Sequence, residues 1–258
     1  MRRIDWSNQG GKRAGMSGKP LSEGFKNNYA YLILSGGENR RMGGKNKLFL
    51  EIAGRRQLER LLSCIRETDE GSQVYLSVKQ GENALEYESC GLPCIPDLVR
   101  GRGPVAGIAS AMHHLNMQRT SFQEERGMAD ALLILSSDLF GLERGVLLPL
   151  LDVYRRTGNA VFYKGRDGLP LPFPGIYPLD MEGFLRQELS LGHYRLRGVL
   201  AEWAAVKKTE LISPPEAFFR VKNLNTPEDA VAAALLKEAV TGNKEAAGEA
   251  DSDCEGER

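Results

Sequence analysis

The run LILSGGENRRMGGKNK, Leu32 to Lys47, decides the reading of this chain: an apolar segment gives way to a glycine pair, an arginine pair, a second glycine pair and a lysine. Residues 29–34 have the length and the β-branched and aromatic content of a short buried strand. Gly36 and Gly37 then allow a sharp turn that aims backbone N–H groups outward. Arg40, Arg41 and Lys47 add cations to those neutral donors: a guanidinium grips phosphate oxygens bidentately, and an ammonium acts as a compact point charge. The segment is suited to hold a triphosphate.

Two common phosphate loops do not account for it. The Walker signature needs Gly-Lys followed by Ser or Thr, whereas Gly44-Lys45 is followed by Asn46 and Asn39 stands at the first glycine position. A dinucleotide-type G-x-G-x-x-G is absent, because the glycines come in adjacent pairs. A single pair would read as a surface turn with solvated charges. The order of strand, glycines, arginines, glycines and lysine favours the phosphate site.

Beyond this loop, strand-length apolar runs at residues 73–78, 130–136, 159–163 and 205–211 alternate with helical spacing at 57–68, 104–117, 142–156, 181–189 and 196–204. This alternation predicts a Rossmann-like three-layer α/β/α domain with a mainly parallel sheet. In such sheets ligands sit beyond the carboxyl ends of the strands, where the Gly-rich loop falls. Thr226 as N-cap and Pro227 at the first helical position open a last predicted helix that runs to Val240.

A length of 258 residues with 41% hydrophobic content suits one sizeable α/β domain, and 29 glycines favour many tight turns over a helical bundle. Net charge is zero but uneven: residues 1–27 are basic and 241–258 acidic, so both read as disordered tails flanking a domain at 28–240. The chain shows no signal-peptide h-region and no membrane-length apolar stretch, so a cytoplasmic protein is expected. Cys64, Cys90, Cys94 and Cys254 make no convincing disulfide framework or zinc set. His113 and His114 point about 100° apart on a helix and cannot chelate one metal together.

Two further segments stand at chemically useful places. The loop 96–108 ends in Gly103-Pro104-Val105-Ala106-Gly107-Ile108, where a proline-led helix start can attract an anion or serve only as a cap. Asp138 ends the apolar run at residues 132–135 and is suited to hold Mg²⁺ against phosphate, with helix capping as the alternative.

The loop pattern formed by Leu34, Gly36, Gly37, Arg40, Arg41, Met42, Gly43 and Lys47 resembles the signature of molybdenum cofactor guanylyltransferases, within the wider nucleotidyltransferase family. Ser35 replaces the usual alanine. Residues 103–108 are similar to the family's Gly-Pro-Leu-Ala-Gly-Ile, residues 169–177 to its Pro, apolar, Gly-x-Tyr segment, and residues 223–229 to its late Asn-x-Asn-Thr-Pro-Glu. Ser137-Asp138-Leu139-Phe140 keeps only the aspartate of Cys-Asp-x-Pro, which leaves that turn less fixed. Ser77 stands where relatives tend to carry an asparagine.

The resemblance implies GTP contacts from Leu34, Ser35, Gly36, Gly37, Lys47, Asp97 and Asp138. It implies catalytic roles for Lys47, Arg41 and Asp138, Mg²⁺ on Asp138, and molybdopterin contacts from Asn223 and Asn225. The activity it implies is transfer of GMP from GTP to molybdenum-molybdopterin. Transient contact with molybdenum-insertion or molybdoenzyme-maturation proteins is compatible with it; neither nucleic acid nor membrane is expected as a partner. The alternatives are a molybdopterin cytidylyltransferase, a sugar-phosphate nucleotidyltransferase, or a non-catalytic escort that binds nucleotide or cofactor.

Overall fold

A computed structural model of the chain describes residues 28–35, 46–79, 87, 89–121, 128–226, 228–232 and 235. Seven strands form its central sheet: β1 (Tyr29–Leu34), β4 (Val74–Val78), β5 (Cys94–Pro96), β6 (Ala131–Ser136), β8 (Ala160–Lys164), β9 (Pro170–Pro178) and β10 (Thr209–Ile212). Their order is β10-β8-β9-β6-β1-β4-β5. Short antiparallel pairs, β2 (Glu51–Ile52) with β3 (Arg55–Arg56) and β7 (Leu139–Phe140) with β11 (Lys222–Asn223), lie outside it.

Burial explains the parallel core. In β1, Ala30, Leu32 and Leu34 pack into one apolar cluster while Tyr31 and Ile33 pack into another, and β6 divides the same way. A strand apolar on both faces must be covered on both. Helix α1 (Gln57–Thr68) and helix α3 (Arg144–Thr157) cover one face, and α2 (Gly103–Ser121), α4 (Glu182–Leu191) and α5 (Leu196–Val206) the other. Helix α1 shows how sequence sets the layer: Leu58, Leu61, Cys64 and Ile65 recur at helical spacing and form its buried stripe. The predicted three-layer α/β/α architecture is the observed one.

Four parallel strands, β6, β1, β4 and β5, direct their carboxyl ends to one edge. The chain runs outward from β1 through β4 to β5 and then returns to β6 on the other side of β1. The order therefore reverses at β1/β6, which opens a crevice at the carboxyl edge.

Two differences from the expected elements bear on the sheet. The strand expected at 205–211 is Thr209–Ile212, because α5 continues to Val206 and buries Trp203. The segment 169–177, read only as a motif, overlaps β9, an antiparallel strand between β6 and β8. Pro170, Pro172 and Pro174 fall on its irregular half: pairing with β8 shifts between Phe162 and Tyr163, and regular pairing with β6 begins at Gly175. Residues 228–232 and 235 are helical, as expected after Thr226; the two predicted tails and Pro227 lie outside the described residues.

Candidate active site

Leu34 ends β1 at the crevice and Ser35 follows it, 6% and 4% exposed respectively. The backbone fixes them from both sides: the Ser35 N–H donates to the Ser77 carbonyl at 3.1 Å, and the Ser137 N–H donates to the Leu34 carbonyl at 3.1 Å. The ends of β4, β1 and β6 are thus tied together where the Gly-rich loop leaves the sheet. Gly36, Gly37, Arg40 and Arg41 lie outside the described residues.

Asp97 follows β5. Its N–H donates to the Val78 carbonyl at 2.8 Å, and the next N–H, of Leu98, donates to Ser110 Oγ at 2.9 Å. Ser110 Oγ in turn donates to the Ala106 carbonyl at 2.7 Å, which joins the Asp97 loop to the first turns of α2. The Ser77 hydroxyl donates to Asp97 Oδ1 at 3.1 Å. Asp97, Ser77 and Leu34 gather around Gly107 of α2, whose missing side chain makes room for them.

Asp138 sits half-buried at the carboxyl end of β6, and its carboxylate has no hydrogen-bond or ion-pair partner among the described residues. Its backbone is held firmly. The Asp138 carbonyl accepts from Leu224 N–H at 2.9 Å, Leu139 pairs with Asn223, and the Leu139 carbonyl accepts from Gln57 Nε2 at 2.8 Å. The missing Cys-Asp-x-Pro proline therefore does not leave the turn loose: residues 139–140 form a strand edge that pairs with β11 instead. Gln57, fully buried at the start of α1, gave no sequence signal for this role.

The late segment comes to the same side. Ile52, Phe140 and Leu224 form a small buried cluster, with Leu50 and Ala230 against it. This brings the β2–β3 hairpin, the Asp138 turn, Leu224 and Ala230 together. Thr226 caps the last helix as predicted: Asp229 N–H donates to Thr226 Oγ1 at 3.2 Å, and Asp229 Oδ2 accepts from Asn225 N–H and Thr226 N–H at 2.8 Å each. These backbone donors, Asn225 first, hold the Asp229 carboxyl below its ordinary range, with a further contribution from the Lys47 ammonium. Lys47 is therefore within electrostatic reach of the late segment.

Lys47 opens a short 3₁₀ turn, Lys47–Phe49, capped by Asn46, whose Oδ1 accepts from Leu48 N–H at 3.1 Å. Asn223 and Asn225 are both exposed. The arrangement thus assembles Ser35, Asp97 and Asp138 along the crevice, with Lys47, Asn223 and Asn225 toward the Asp138 end. Such an edge can bind a polyanion along backbone donors and cations, with one unpartnered carboxylate available to a divalent metal.

The donor set suits Mg²⁺, which keeps several waters and takes one or two protein carboxylates together with substrate phosphates. Asp138 fits that role. Among the described residues there is no cluster of three or more metal-ligating side chains. No helix among the described residues is long and apolar enough to cross a membrane.

A family model described as the MobA-like NTP transferase domain matches residues 31–209, from β1 to the start of β10. The molybdenum cofactor guanylyltransferase of Cereibacter sphaeroides is 30% identical over 205 residues, 80% of this chain and 95% of that protein. Among solved structures, molybdopterin-guanine dinucleotide biosynthesis protein A from Archaeoglobus fulgidus gives a TM-score of 0.62 at 20% identity, over 81% of this chain and 99% of that one. A 4-diphosphocytidyl-2C-methyl-D-erythritol synthase from Anaerococcus prevotii gives 0.56 at 12% identity, over 82% and 96%. At these identities the two structures speak to the fold alone.

Proposed function

Because this chain belongs to the MobA-like NTP transferase family and is a nucleotidyltransferase, we propose that it transfers GMP from GTP to the terminal phosphate of molybdenum-molybdopterin. The product is the guanine dinucleotide form of the cofactor, and pyrophosphate leaves. The observation that carries this reading is the joining of the Asp138 turn to Asn223 through β7 and β11. The backbone that carries Asp138 is paired with the segment that carries the two asparagines, which supports a metal site and a pterin site on neighbouring stretches of one cleft.

The chemistry needs no protein nucleophile. A terminal phosphate oxygen, ionised at neutral pH, forms a new bond to the α-phosphorus as the bond from that phosphorus to its bridging oxygen breaks. Pyrophosphate takes the electron pair. The protein's task is alignment and neutralisation of charge. Gly36 and Gly37 would offer backbone N–H groups to the triphosphate, and Lys47 and Arg41 would offset its charge. Asp138 would hold Mg²⁺, which when bound neutralises phosphate charge and orients the triphosphate. Asn223 and Asn225 carry both donors and acceptors, which suits a pterin edge.

Incubation with molybdopterin cofactor, Mg²⁺ and each of GTP, CTP and ATP, followed by mass spectrometry of the product, tests the assignment. A guanine dinucleotide product formed from GTP alone is expected. A cytosine product would move the chain to the cytidylyl branch, and nucleotide binding without any product would favour an escort.

A further inference from the structure

Ser77 stands where two parts of the nucleotide crevice meet. Its carbonyl accepts from Ser35 N–H, at the root of the Gly-rich loop, and its hydroxyl donates to Asp97 Oδ1 at 3.1 Å. The residue is 5% exposed and lies opposite Leu34 in the β1–β4 ladder. Gly107 limits where the hydroxyl can go. A Cβ built there would lie 2.6 Å from Ser77 Oγ, 3.1 Å from Asp97 Oδ1 and 3.5 Å from Leu34 Cδ2. The backbone of α2 is thus packed directly against the Ser77–Asp97 pair.

From this geometry we infer that Ser77 is a positioning residue: it binds no nucleotide itself but fixes the Asp97 carboxylate for the nucleotide. The inference rests on the nucleotide-binding part of the proposed function. A carboxylate on a loop can rotate about its side-chain bonds, and each rotamer presents a different oxygen to the crevice. A hydrogen bond from a buried hydroxyl removes that freedom, so the cost of orienting Asp97 is met before the ligand arrives. The backbone on both sides of Asp97 is already tied, through Val78 and Ser110, and the Ser77 hydroxyl restrains the side chain.

The test is a double-mutant cycle on the whole chain, read by calorimetric GTP binding with Mg²⁺ and by the melting temperature without nucleotide. Ser77→Ala should weaken GTP binding by about tenfold, the scale of one hydrogen bond to a charged group, and leave the melting temperature near that of the wild type. Asp97→Ala should weaken binding at least as much, and adding Ser77→Ala to it should cause no further loss.

Wild-type affinity in Ser77→Ala would overturn the inference. So would a second tenfold loss in the Asp97→Ala background, because Ser77 would then touch the nucleotide directly. A fall in melting temperature with unchanged affinity would make the pair merely structural, which also overturns it. Repeating the titrations with CTP and ATP separates this claim from the proposed function: a different preferred base revises the reaction, while the Ser77 effect persists on whichever nucleotide binds. A wild-type chain that binds none of the three overturns both.

Discussion

The N–H of Leu224 donates to the carbonyl of Asp138 across 2.9 Å, so a segment near the end of the domain fixes the turn that carries the metal-competent carboxylate. Leu224 is fully buried with Ile52 and Phe140. Its side chain and its backbone therefore hold the same turn.

Leu224→Ala opens a cavity in this small cluster. It should destabilise the domain by about 2–4 kcal/mol, the usual cost of truncating a buried leucine. Turnover should fall along with stability. Urea denaturation followed by far-UV circular dichroism checks the first effect, and pyrophosphate release the second. A loss below about 1 kcal/mol would show that the cluster tolerates truncation.

Gln57→Ala removes the buried donor to the Leu139 carbonyl, next to Asp138. The stranded carbonyl should cost about 1–3 kcal/mol, and turnover should drop with it. A variant with wild-type stability and turnover would mean that the β7–β11 pairing holds the turn alone.

Gly175→Ala places a Cβ 2.6 Å from Phe162 Cδ1 and 3.0 Å from the Pro172 carbonyl. Overpacking of this kind should cost about 1–3 kcal/mol. Phe162→Leu in the same chain should recover part of it by freeing the ring's space. Equal stabilities of the single and double variants would place the strain at the Pro172 carbonyl.

The Asp229 cap sets an acid limit. Its carboxyl is held below the ordinary value of 3.8 by the N–H groups of Asn225 and Thr226 and by Lys47, so the unfolded chain binds that proton more readily than the folded one. The contribution is complete above pH 3.8 and is lost as pH falls through the lower folded value. Asp229→Asn should lower the melting temperature at pH 7, and the gap to the wild type should narrow on acidification below pH 4. A gap independent of pH would refute the charged cap.

The sequence carried the parallel core because its signal is local. Residues 29–34 and 57–68 kept their predicted bounds, one as an apolar run and the other as a helical stripe. Strand β9 was hidden by Pro170, Pro172 and Pro174, which argue against a central strand unless a bulge absorbs them. Strands β7 and β11 are two residues each, too short for any periodicity. Among the candidate site residues, Asp138 and Lys47 stand out in the sequence by position and charge, and Asp97 by the family resemblance. The Ser77–Asp97 bond does not, because it joins residues 20 apart through the β4–β5 register. The hold of Gln57 and Leu224 on the Asp138 turn likewise exists only once the chain is folded.

The central claim is that Asp138 serves nucleotidyl transfer from GTP, and the most direct measurement is pyrophosphate release from GTP by the wild type and by Asp138→Asn, with Mg²⁺ and molybdopterin cofactor present. The account predicts Mg²⁺-dependent release by the wild type and at least about a hundredfold slower release by the variant, with the fold intact by circular dichroism. Equal rates in the two proteins would contradict it.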